Sequence, residues 1–535
     1  MDEGGESGRL TRRDFLYLSG IGVAGFTLAG VPELVYGQEK KARYGGRLNV
    51  ALRWVPSGLD AHKNQDFASI GSYGYMYGAL TQQGPMPDVH IYPMLAKSWE
   101  ISKDGREYTF PLLEGVKFHH GKEFDSGDVK YSIDRVMNPA TRAPRAFSFK
   151  WVDSVSIIDK YHIKIRLKEP FAPFLEGLTI YNCPIIPNGW EPTGMKPAPG
   201  TGPFKFKSFI PNEIIEFTRF DQSHEINEKT GDRLPYLDGV AVKKIVDETV
   251  RWTALRAGDV DLISSPPLKV VADVILKEPV PGITVHASNP GVLWMWFNCG
   301  KPPFDKKKVR QAVAYAVDKK EVLKAVFWGL GETLNHQAFE KGSRFYIPME
   351  DRPVDLSKAK QLLAEAGYPN GFKTEFLGFS SAYDIAGAQV IIGELKKIGI
   401  EATLKVIDRA PFHVAMRKGD YTVSFRGAHS DPYEWDEAYY MYLHSSEIGM
   451  NNYSRYSNKE VDAFLEKGRT SMKWEDRKQA YKKMLEIVRE DLPIHYFFKP
   501  VVGTAYRDYV KGYRVGFSGR ASWYRGGLKY CWLDK

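Results

Sequence analysis

Cysteine is scarce in this chain: Cys183, Cys299 and Cys531 are the only three in 535 residues. No CxxC pair and no Cys/His cluster accompanies them, which excludes zinc or iron–sulfur sites of the usual spacing. An odd count leaves room for one disulfide at most, and buried free thiols are the expectation. Lys and Arg are scattered, with runs no longer than Lys306-Lys307-Lys308, so there is no basic stripe for a nucleic acid. GxSxG, HExxH and GxxxxGK[ST] are all absent, and with them the usual hydrolase, metalloprotease and nucleotide-binding signatures. Asp259 and Asp261 fall on a turn after a predicted helix, where solvation accounts for them. Short-period repeats and low-complexity tracts are missing as well. These absences argue against an enzyme, and no cofactor and no resident metal are expected.

What is present is ordinary for a soluble protein of several lobes: 43% hydrophobic, 26% charged and 13% aromatic residues. The aromatic share, with 30 Tyr and 12 Trp, suits either several cores or a cleft lined with flat amphipathic rings. The formal charge is +9, and residues 1–37 are themselves net acidic, so the remainder is more basic still. That balance favours anionic partners.

Arg12-Arg13 precede an apolar stretch from Leu16 to about Val31 that is broken by Gly20, Gly22 and Gly25. A twin arginine before a weakly apolar region of this kind is similar to a twin-arginine signal. It is short for a membrane span, which needs about 20 residues. Residues 1–37 are therefore expected to be an export signal, cut near Val35-Tyr36-Gly37, that releases the mature protein into the periplasm.

Helix and strand patterns alternate along the mature chain. Strands are expected at Gly46–Leu52, Arg106–Leu112, Tyr161–Leu167, Val240–Val246, Trp294–Asn298 and Ile400–Val406. Helices are expected at Asp128–Met137, Glu248–Ala257, Lys307–Val317, Leu356–Ala366, Ala386–Ile398 and Arg477–Arg489, several closed by glycine. This alternation predicts largely parallel sheets.

An ordered series of motifs spans nearly the whole mature chain. It begins with Leu95-Ala96-Lys97-Ser98-Trp99-Glu100, Asp104-Gly105, Tyr108-Thr109-Phe110 and Gly115-Val116-Lys117-Phe118-His119. It continues through Gly200-Thr201-Gly202-Pro203-Phe204, Pro235-Tyr236-Leu237-Asp238, Leu255-Arg256-Ala257-Gly258-Asp259 and Val309-Arg310-Gln311-Ala312 to Ala364-Glu365-Ala366-Gly367-Tyr368. The series resembles the family 5 extracellular solute-binding proteins of ABC importers, whose members serve peptides, nickel and related solutes.

The resemblance implies an α/β, bilobal periplasmic-binding-protein-like fold with an extra sub-lobe inserted in the first lobe. Lobe I would take residues 44–62, 190–285 and 500–535, the sub-lobe 63–189 and the opposing lobe 286–499. The partners would be a small-molecule or peptide ligand and the transmembrane subunits of an ABC permease, with the chain a monomer. A sensor or a peptide-holding chaperone of the same fold is the alternative, and a hydrolase the remote one.

In the family, a segment leading to an Asp-Pro pair lines the cleft; here it is Phe425-Arg426-Gly427-Ala428-His429-Ser430-Asp431-Pro432-Tyr433. Peptide binders place an aspartate where this chain has Ala428, and many relatives have tryptophan where it has Arg426. A desolvated ammonium needs a counter-charge, so loss of the aspartate weakens the case for ordinary peptide capture. Arg426 offers a fork of donors to a carboxylate or phosphate instead, or else a structural ion pair. The remaining ligand-contact candidates are Asp431, Tyr433, His429, Trp294, Trp296, Tyr75 and Tyr77. His444 as a ligand to a metal complex, and His119-His120 as a metal pair, are minor options. Gly200-Thr201-Gly202 is expected to be a tight connection that uses positive φ, and Arg310 a structural contact.

Overall fold

The computed structural model describes residues 41–64, 66–84, 90–193, 196–288, 291–427, 434–514 and 527–535. Two mixed sheets organise it. In the first, of seven strands, Arg47–Leu52 sits centrally between Gly239–Lys244 and Leu262–Ser264, parallel to both. Phe204–Ile210 and Ile214–Arg219 extend one side, Val502–Arg507 and Ile283–Ser288 the other, all by antiparallel pairing. In the second, of six strands, Phe372–Phe379 pairs in parallel with Ile400–Ile407 and Val423–Gly427, and the rest is antiparallel.

The sheets are thus mixed and not largely parallel. The reason is local: hairpins such as Phe204–Ile210 to Ile214–Arg219 need only a short turn, whereas each parallel neighbour needs a helical crossover. The expected helices stand where their caps put them. Glu248–Ala257 begins at Asp247, whose carboxylate accepts from the Thr249 and Val250 amides, and ends at Gly258 with φ 87°. Ser126–Met137 opens on a capping box, Asp125 accepting from Gly127 N–H and Asp128 accepting from Asp125 N–H.

The chain passes between the sheets in two places. Ile283–Ser288 belongs to the first and Leu293–Phe297 to the second; Ile494–Pro500 belongs to the second and Val502–Arg507 to the first. Each lobe therefore holds a separate core, in the bilobal periplasmic-binding-protein arrangement. The first packs Leu48, Val50, Phe204, Phe217 and Val240. The second is buried on both faces, and its strand Leu293–Phe297 shows why five apolar residues run together. Leu293, Met295 and Phe297 enter one core while Trp294 and Trp296 enter the other.

A four-stranded sheet of Glu100–Ile101, Glu107–Pro111, His162–Leu167 and Val152–Asp159 has its own core around Phe110, Phe118, Ile133 and Ile165. Helix Phe67–Met76 precedes it in sequence, but Ile70, Tyr73 and Tyr75 pack in the core of the seven-stranded sheet.

Gly200 and Gly202 work differently from expectation, since neither has positive φ. A Cβ on Gly200 would lie 1.8 Å from the Met76 carbonyl oxygen, and one on Gly202 would lie 2.6 Å from Tyr75 O. Close backbone approach, not handedness, demands glycine here. His119 staples the same loop, with Nε2–H donating to Gly202 O at 2.9 Å and Nδ1 accepting from Gly200 N–H at 3.2 Å. Arg310 is structural, donating to Phe304 O, Asp305 O and Asp491 O at 2.7, 3.0 and 2.8 Å. Cys183, Cys299 and Cys531 are free thiols, and burial raises the pKa of each.

Candidate functional site

Strand Val423–Gly427 lies beside Leu293–Phe297 with Arg426 opposite Trp294. The Arg426 side chain is buried, its guanidinium 4.1 Å from the Phe379 ring centroid and 5.2 Å from that of Phe412. Its Nη1–H donates to His413 Nε2 at 3.0 Å. That contact assigns the His413 tautomer, and Nδ1–H faces the Tyr453 hydroxyl at 3.3 Å. Burial, followed by the charges of Arg426, Arg409 and Arg417, pushes His413 down to about 4. The imidazole is therefore neutral and leaves the arginine its full charge. Asp384, at the start of helix Ala382–Lys396, is a carboxylate whose charge acts on Arg426.

Trp294 and Trp296 stand edge to face at 5.4 Å, each only 3% exposed. Tyr442 meets them at 5.2 and 5.6 Å, and Tyr453 meets Trp296 at 5.4 Å. Both tryptophans thus back the Arg426 surroundings as an aromatic wall. Tyr75 and Tyr77 lie elsewhere. Tyr75 packs on Phe204 and Phe217 at 6.1 and 5.2 Å, and the Tyr77 hydroxyl donates to Ala198 O at 3.0 Å. Asp431, Tyr433 and His429 fall outside the described residues, as does Ala428.

A cavity of about 170 Å³ opens between residues 145–182 and residues 434–469. Arg145, Trp151, Glu437 and Tyr440 are among the side chains that line it. Arg145 lies 3.7 Å over the Tyr181 ring on the first-lobe side. Tyr442 lies on helix Trp435–Leu443, two residues after the cavity-lining Tyr440. Burial, Glu437 and Tyr453 raise the Tyr442 pKa, while Arg426 and Arg145 pull it down. Both guanidiniums thus act on this phenol through their charge. The cavity itself is lined by Glu176, Glu434, Asp436, Glu437 and Glu447 as well as by Arg145, Lys150 and Arg469.

The sequence pointed to Arg426 and the tryptophans but not to Arg145, His413, Tyr442 or Tyr453. These carry no spacing signal, since each comes from a different loop, helix or strand. His444 stacks on Tyr440 at 4.4 Å and lies 3.3 Å from Glu466. Among the described residues no three His, Cys, Asp or Glu side chains come together as a metal site.

Residues 90–450 match the bacterial extracellular solute-binding proteins, family 5, over the middle region of that family. The chain belongs to this family. Its members are the solute-binding components of transport systems, and the bilobal fold is theirs. Heme-binding protein A of Haemophilus influenzae is 33% identical over 435 residues, 75% of this chain and 78% of that protein. The glutathione-binding protein GsiB of Pectobacterium atrosepticum is 31% identical over 333 residues, 60% and 62% of the two chains.

Among solved structures, the periplasmic binding protein DppA of Helicobacter pylori, in complex with the peptide STSA, superposes with a TM-score of 0.78. It is 28% identical, over 92% of this chain and 99% of that one. AgaA of A. tumefaciens R10, in complex with agropinic acid, gives a TM-score of 0.75 at 28% identity, over 92% and 99%. No helix among the described residues is long and apolar enough to cross a membrane.

Proposed function

We propose that the chain is the exported, substrate-binding component of an ABC importer and that its ligand is a small solute bearing a carboxylate or a comparable anionic group. The observation that carries this is Arg426, a buried guanidinium stacked on Phe379 and Phe412 with a neutral His413 beside it. An arginine fork matches a carboxylate, and a desolvated guanidinium held on aromatic rings keeps its charge for the ligand. Supporting it, relatives are named for heme and glutathione, and a structural neighbour holds agropinic acid; all three molecules carry carboxylates. In this reading Trp294 and Trp296 support the wall, while Asp431, Tyr433 and His429 belong to the segment that completes it.

Residues 63–189 act as a sub-lobe inserted in a first lobe of 44–62, 190–285 and 500–535, and 286–499 form the opposing lobe. Ligand contacts made only in the closed arrangement drive closure about the two crossovers. The mature protein works as a periplasmic monomer that docks on permease subunits, exported by the twin-arginine route. It catalyses nothing.

The test is thermal unfolding of the mature chain with glutathione, acidic and neutral tripeptides, oligosaccharides and nickel chelates. A ligand at 100 times its Kd adds about 2.7 kcal/mol of stability and raises the midpoint visibly. Stabilisation by acidic members alone is expected. Equal stabilisation by neutral peptides would overturn the anionic reading, and no response from any solute would count against capture itself.

A further inference from the structure

The unit containing the four-stranded sheet meets the second lobe through a buried ionic cluster that lines the cavity described above. Ala172 N–H donates across this boundary to Arg469 O at 2.8 Å. The Arg469 guanidinium lies 3.1 Å over Tyr440 on its own side, and 5.2 and 5.4 Å from Trp151 and Phe171 on the other. Asp436 accepts from it at 2.9 and 3.0 Å. Beside this pair, Glu434 is bonded to Arg477 and also caps helix Trp435–Leu443. Glu176, on the short turn Phe174–Gly177, lines the same cavity as Glu434 from the opposite side, with its Oε2 shut off from solvent.

The charge balance of this cluster is uneven. Three carboxylates, Glu176, Glu434 and Asp436, share two buried guanidiniums, Arg469 and Arg477, and each guanidinium is already committed to one acid. The other titratable neighbours do not correct it. Tyr108 and Tyr481 are held neutral by burial, Arg344 and Lys150 stand exposed, and the half-buried Arg145, Glu437 and Glu447 on the same cavity add one positive charge against two negative. A third carboxylate can be buried here cheaply only as the acid.

We infer that Glu176 is protonated while the two faces touch and ionised when they part, so that closing this interface takes up a proton. Burial and the facing Glu434, outweighing Arg477 and Arg344, hold its pKa at about 7 in the closed form, against an ordinary 4.5. The sign follows from these values. Below 4.5 both forms are protonated, between 4.5 and 7 only the closed one is, and above 7 neither is. The closing constant therefore falls about tenfold per pH unit across that window and is level beyond it. Easier release of solute toward neutral pH is the consequence, and it rests on the capture role proposed above.

Hydrogen exchange of the ligand-free full chain tests the device, because the Ala172 amide bond crosses the interface. Between pH 5.5 and 8, protection of the peptide 171–177, corrected for intrinsic rate, is expected to fall about tenfold per unit up to pH 7 and then level off. In Glu176→Gln it should stay constant at the acid-side value. A flat wild-type profile, or an equal slope in the variant, would overturn the inference. If the variant fails to fold, the ¹³C shift of the Glu176 carboxyl in the wild type decides: a midpoint near 7 supports it, and one near 4.5 sinks it. Neither readout needs a ligand, so failure of the solute panel and failure of the proton link remain separate results.

Discussion

Arg426 shows how much one residue conveys before and after folding. In the sequence it is an arginine near an Asp-Pro pair, equally able to grip a ligand or an internal acid. In the structure it is buried, stacked on Phe379 and Phe412, and bonded to a neutral His413. Truncation to Arg426→Gln removes a charge-assisted contact of roughly 1.5–3 kcal/mol, so calorimetry should find the Kd for an acidic solute raised about 10- to 100-fold. Arg145→Gln should act in the same direction, whereas Tyr77→Phe, far from the cleft, should leave affinity unchanged. Gly200 gives the complementary case. Gly200→Ala drives a methyl group into the Met76 carbonyl, so urea unfolding should show a loss of about 3 kcal/mol or more.

At the scale of elements, most of the regular structure was legible because caps and periodicity are local. Glu248–Ala257 is bounded by Asp247 and Gly258, both visible in the chain, and it forms over the residues expected. Asp125→Ala removes the cap of Ser126–Met137 and should cost about 1 kcal/mol in chemical denaturation, without touching ligand affinity. Other elements were not legible. The strand Val502–Arg507 and the helix Trp435–Leu443 lack a clean amphipathic stripe, because each is buried on more than one side. Sheet polarity was misread for a related reason. Alternating helices and strands suggested parallel neighbours, but two neighbours joined by a hairpin are antiparallel whatever the overall alternation.

For the whole molecule, buried histidines set the acid limit of stability. Burial holds His62, His119 and His413 at about 4, and His336 at about 2, below their ordinary 6.5. The unfolded chain binds protons first as pH falls through 6.5, so stability present above that value is lost on the acid side. Each such histidine contributes a slope of about 1.4 kcal/mol per pH unit until its folded pKa is reached. Urea unfolding between pH 7 and 5 should show this loss, and His119→Gln should reduce the slope by one proton. The proton taken up by Glu176 runs against this trend locally, favouring contact between the lobes while the cores weaken.

By itself the sequence determined the family, the bilobal class and most helix boundaries. These depend on motifs, composition and caps that reside in contiguous residues. Only the tertiary structure decided that Tyr75 and Tyr77 are core, that Trp294 and Trp296 are buried, and that Arg426 pairs opposite Trp294 and stacks on Phe379 and Phe412. Those relations join residues far apart in the chain, 132 positions in the case of Trp294 and Arg426. No local periodicity encodes such a separation; it is closed by the pairing of strands and the packing of helices drawn from distant parts of the chain.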